Sequence, residues 1–98
     1  MQINYNKEAE KLTVSPEGRL DTATALEFEK TLAELLNGVS ELILDMKKVT
    51  YVSSAGLRVL LKLQKIMFNQ GKMKLIGVND TVMEVLEITG FANILRIE

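Results

Sequence analysis

Two adjacent hydroxyls, Ser53 and Ser54, stand just ahead of Gly56 within VTYVSSAGLRVLL, residues 49–61. A serine in such a place has three chemical uses: it caps the first free N–H groups of a helix, acts as a nucleophile, or accepts a phosphoryl group. Nucleophilic use needs a base to take the proton, and the chain contains no histidine and no cysteine. The same two absences remove the commonest zinc ligands and all thiol chemistry, so neither a metal nor a catalytic residue is expected. Phosphate cradles of the types G-x-x-x-x-G-K-[ST] and G-x-G-x-x-G are missing too, which leaves little for a nucleotide-binding reading and implies no cofactor. On residue chemistry alone, capping by Ser53 or Ser54 and a tight first turn at Gly56 are the favoured reading.

The elements that must position these residues follow from periodicity. Ile3 and Tyr5, then Leu12 and Val14, alternate with polar neighbours across the polar stretch 7–11, which predicts a hairpin of two half-buried strands. Pro16 lacks an N–H, so an edge or a break is expected there. Ala25, Phe28, Leu32, Leu35 and Leu36 recur at helical spacing and predict a helix over 25–37, with Thr24 and Glu27 as its capping box and Gly38 as its left-handed stop. Residues 41–46 read as a central strand covered on both faces, because Leu42, Ile43 and Leu44 are apolar in succession.

The segment 49–61 is expected where a central strand feeds a helix, the usual place for a site in an open α/β sheet. That helix starts at Ser53 or Ser54, buries Leu57, Leu60, Leu61, Ile66, Met67 and Phe68, and ends at Gly71; Arg58, Lys62, Lys65 and Asn69 share a polar stripe. A strand over 73–78, a short helix over 80–89 stopped by Gly90, and a final strand or tail over 94–97 complete the pattern. Alternating strands and helices with right-handed crossovers give an α/β fold, a mixed sheet of four to five strands with helices packed against it.

The 98 residues suffice for one core, so residues 1–98 are expected to form a single domain. Apolar residues at 47% and charged residues at 26% are ordinary for a globular chain, and a net charge of -1 provides no general attraction to nucleic acid or anionic membrane. No apolar run is long enough to span a bilayer and no signal-peptide layout is seen, so a cytoplasmic location is expected.

Tyr51-Val52-Ser53-Ser54-Ala55-Gly56-Leu57 resembles the signature of the anti-sigma-factor antagonists of the STAS family, Asp-Ser-x-Gly-Leu after an aromatic-led strand end. Gly18-Arg19-Leu20-Asp21 is similar to the family's Gly-x-Leu-Asp, 42–45 to its central strand, and Thr89-Gly90-Phe91 with Ile94 to its closing segment. The chain departs from the family in three ways: Ser53 replaces the usual aspartate, Arg58 a small residue, and the sequence ends at Glu98 where many members continue into one more helix.

The resemblance implies the STAS fold and a non-catalytic role for a bacterial signal-transduction protein. Its family phosphorylation position falls on Ser54, with Ser53 the alternative. Asp21, Ser53, Ser54, Ala55, Gly56 and Arg58 would meet the partner, although Asp21 also reads as a turn or capping residue and Arg58 as part of a solvated face. The implied partners are an anti-sigma factor, a serine kinase of the histidine-kinase-like ATPase fold, and a PP2C-type phosphatase that restores the hydroxyl; the free chain would be a monomer. Similar modules instead control secretion or polysaccharide production, or build larger signalling assemblies.

Overall fold

The computed structural model describes residues 1–98. β1 (Gln2–Glu8) and β2 (Lys11–Leu20) form the expected hairpin, antiparallel, with Tyr5 opposite Val14. Tyr5 is exposed rather than half-buried, because β1 lies at the sheet edge. α1 (Thr22–Leu35) leads to β3 (Glu41–Asp45), then β4 (Val49–Val52), α2 (Ser54–Gln70), β5 (Lys72–Ile76) and α3 (Asp80–Ile88). A 3-10 turn, Phe91–Asn93, follows, and the expected last strand reduces to one bridge between Leu75 and Ile97.

The sheet is mixed and five-stranded, ordered β1-β2-β3-β5, with β4 paired to β2. All pairings other than the hairpin are parallel. β2 uses Lys11–Val14 for β3 and Gly18–Leu20 for β4, so its neighbour on that side changes across 15–17. Pro16 lies in this gap: the strand does not break there, because the missing donor falls where one neighbour has ended and the next has not begun. The bulge comes later, between Gly18 and Arg19.

Register sorts the side chains by face. Leu12, Leu42 and Met73 form one cross-strand row, and Val14, Leu44 and Leu75 the next; all six are buried. Phe28 and Leu32 of α1, Leu60, Leu63 and Met67 of α2, and Val82 and Leu86 of α3 join them in one cluster of 23 buried residues. The opposite face alternates in charge, with Glu8, Lys11, Glu41 and Lys72 in one row. Ile43 is buried on that face between Thr13 and Lys74, so β3 is covered on both faces as expected.

α2 buries Leu57, Leu60 and Met67 as expected, and Val59 and Leu63 besides. Leu61 is only half-buried, while Ile66 and Phe68 are exposed, Phe68 at 81%. The run Ile66-Met67-Phe68 turns through about 200° of helix, so one face can take only one of the three.

Candidate functional site

β2 and β4 run parallel and their C-terminal ends lie together, Leu20 opposite Val52 and Arg19 opposite Tyr51. β4 pairs with β2 alone, so the strand that feeds the serine loop is peripheral, not central as the sequence suggested. Its far end is held by Asn79, whose Nδ2 donates to the Val49 carbonyl at 2.8 Å while Oδ1 accepts from Val82 N at 2.8 Å as the N-cap of α3.

Beyond Val52 the chain turns directly into α2. Ser53 is the N-cap, in extended conformation: its N–H donates to the Leu20 carbonyl at 2.9 Å, its carbonyl accepts the first helical bond from Leu57 N at 2.9 Å, and its hydroxyl accepts from Gly56 N at 3.5 Å. Ser54 is the first helical residue. It is exposed and its hydroxyl has no hydrogen-bond partner in the protein. The two serines are thereby separated chemically, one engaged with the backbone and the other free.

Gly56 is buried, so it supports the loop from below and offers no surface to a partner. A Cβ there would lie 2.5 Å from the Leu20 carbonyl oxygen, 2.9 Å from Leu20 Cγ and 3.0 Å from Val52 Cγ1. The first turn of α2 thus rests directly on the ends of β2 and β4, an approach that only a residue without a side chain permits. Ala55 is half-buried and packs against the core.

Asp21, next after Leu20, caps α1: its carboxylate accepts from Ala23 N at 3.1 Å and Thr24 N at 3.2 Å, and Thr24 Oγ1 accepts from Asp21 N at 3.0 Å. This reciprocal box replaces the expected one between Thr24 and Glu27, since α1 already starts at Thr22 and the cap falls on Asp21, directly after β2. It also ends sooner, at Leu35, with Gly38 two residues past the Leu36 C-cap in a left-handed turn (φ 78°). Partial desolvation raises the Asp21 pKa, but hydrogen bonds from Thr24 N–H, the Arg19 side chain and Ala23 N–H outweigh it and hold the carboxyl below its ordinary 3.8.

Asp21 therefore caps α1, one of the two readings the sequence left open, and follows Leu20, which pairs with Val52 at the entry to the serine loop. Arg19 lies 3.4 Å from the Asp21 carboxylate and stacks 4.6 Å above the Tyr51 ring centroid. Sequence reasoning missed this stack, for the two residues are 32 apart and only strand register joins them.

Arg58, one turn after Ser54, is exposed and its side chain makes no ion pair or hydrogen bond. Lys62 on the same stripe differs: its Nζ lies 3.1 Å from Glu29 and ties α2 to α1. The surface clefts lie elsewhere, with none lined by Asp21, Ser53 or Ser54. The serine loop is an exposed helix start. No helix is long and apolar enough to cross a membrane.

The family model for the STAS domain matches residues 2–98. The chain is 33% identical to BtrV of Bordetella bronchiseptica, which carries a provisional name as an anti-sigma factor antagonist, over 99% of this chain and 85% of that protein. It is 27% identical to the anti-sigma-B factor antagonist of Staphylococcus aureus, over 82% of this chain and 76% of that one. Among solved structures, the anti-sigma factor antagonist SpoIIAA in its unphosphorylated form superposes with a TM-score of 0.84 at 15% identity, covering 99% of this chain and 88% of that chain. The phosphorylated form of SpoIIAA, a Bacillus cell fate determinant, superposes at 0.75 with 14% identity, over 99% and 91%.

Proposed function

The chain belongs to the STAS domain family, and from that premise we propose that it is an anti-sigma factor antagonist controlled by phosphorylation of Ser54. It binds an anti-sigma factor that is also a serine kinase of the histidine-kinase-like ATPase fold, acting in the cytoplasm. The kinase transfers a phosphoryl group from ATP to the Ser54 hydroxyl, the complex parts, and a PP2C-type phosphatase hydrolyses the ester. In both reactions the chain is substrate and catalyses nothing.

The observation that carries this reading is the division of labour between the serines. Ser53 is engaged as a cap, whereas Ser54 presents an unengaged hydroxyl at an exposed helix start. The relation to BtrV supports the antagonist role, and SpoIIAA is a fold neighbour that itself takes a phosphorylated form. A phosphate at Ser54 meets the positive end of α2, so the modified chain stays folded.

Calorimetric titration against the partner kinase tests the switch. Ser54→Ala removes one exposed hydroxyl and keeps binding. Ser54→Asp introduces a charge that must be desolvated in a close-packed interface, and its affinity falls about 10- to 1,000-fold. Phosphopeptide mapping places the phosphate on Ser54; a phosphate chiefly on Ser53 would move the assignment, and one outside the loop would end it.

A further inference from the structure

We infer that Arg58 is the built-in counter-charge of the phosphorylated site: once Ser54 carries a phosphate, the guanidinium folds back along α2 and pairs with it. The inference rests on the phosphorylation reading above and adds a residue that acts after the phosphoryl transfer.

The geometry comes from the helix. Ser54 and Arg58 are both in α2 at positions i and i+4, so their Cβ atoms lie about 6 Å apart on one face. Side chains in a helix lean toward its N-terminus, which carries Arg58 back over Ser54. An anion N-terminal to a cation is the favourable order for such a pair.

The charges around Arg58 point the same way. It has no partner in the unmodified chain, and its neighbour one turn on is Lys62, a like charge that Glu29 holds at 3.1 Å toward α1. Of the other groups near the loop, Arg19 is already occupied by the Asp21 carboxylate at 3.4 Å and by the Tyr51 ring, and the Asp21 carboxylate repels a phosphate. Arg58 is thus the free cation of this loop. A phosphate oxygen pairs with guanidinium N–H groups in a fork geometry that a lysine ammonium cannot copy.

Phosphorylation then changes two things together. It adds a bulky anion and withdraws an exposed cation from the surface a partner meets, so a partner carboxylate facing Arg58 loses its contact.

The test uses full-length chain with phosphoserine incorporated at position 54 during translation, so that no kinase is needed. The phosphate is followed by 31P NMR across pH. A free phosphoserine loses its second proton near pH 6. With Arg58 present the midpoint lies below that of the Arg58→Gln variant by about 0.3 pH units or more. Arg58→Lys recovers part of the difference, 1 M salt removes most of it (a Debye length of about 3 Å), and Arg19→Gln leaves the midpoint in place. Coincident titrations of wild type and Arg58→Gln overturn the inference, as does a midpoint that moves with Arg19 alone. The switch itself is read separately, by calorimetry of the phosphoserine-54 chain against the kinase. Undiminished binding there sinks the phosphorylation reading, whereas lost binding with a midpoint indifferent to Arg58 sinks only the counter-charge.

Discussion

A methyl group added at Gly56 has nowhere to go: the Leu20 carbonyl oxygen would be 2.5 Å away and the Val52 side chain 3.0 Å. Gly56→Ala must therefore lift the first turn of α2 from the sheet, at a cost of about 1–3 kcal/mol in urea denaturation. A loss within about 0.5 kcal/mol would mean that this contact yields freely. Asp21 is a second test at this scale. Its folded pKa lies below the ordinary 3.8, so its carboxylate adds stability above that value, and the contribution disappears as pH falls through the folded pKa. Asp21→Asn should melt below wild type at pH 7, and the two melting temperatures should converge as the pH falls through the folded pKa. A gap independent of pH would show that Asp21 acts only through its uncharged hydrogen-bonding shape. That Asp21 caps a helix was one of two readings its residue type allowed; that the same residue stands beside Ser53 depends on the pairing of Leu20 with Val52, which no local pattern encodes.

Among the elements, α2 shows both the reach and the limit of periodicity. Leu57, Leu60 and Met67 follow helical spacing and are buried, and Leu63 continues the same series. Ile66 and Phe68 are as apolar as Met67, so composition could not separate them, whereas the 100° step per residue does. Leu60→Ala should cost about 2–5 kcal/mol as a core truncation, while Phe68→Ala stays within about 0.5 kcal/mol; chemical denaturation of both variants checks the helix phase, and equal losses would refute it. β4 was harder to foresee. The sequence places 49–61 where a central strand feeds a helix, yet the single neighbour of β4 is set by where β2 abandons β3. Asn79 compensates for this thin attachment by bonding Val49 while capping α3. Asn79→Ala should cost about 0.5–2 kcal/mol and raise amide exchange along β4 as well as at the start of α3; protection unchanged in β4 would separate the two roles.

For the molecule as a whole, one cluster of 23 buried residues draws on all three helices and every strand except β1. We expect one cooperative thermal transition with equal calorimetric and van't Hoff enthalpies, and two resolved transitions would refute the one-domain reading. The divided edge of β2 has a further consequence during synthesis. The β1–β2 hairpin is complete once residue 20 has left the ribosome, but the Gly18–Leu20 stretch waits for partners at Val49–Val52, and Leu42 and Leu44 wait for β5 to close the sheet. Through that interval a nascent chain carries an open strand edge flanked by apolar side chains, the kind of surface that recruits chaperones or neighbouring chains. Translation past β5 ends this exposure, so arrested chains should stay sensitive to protease until Leu75 has emerged and turn resistant soon after.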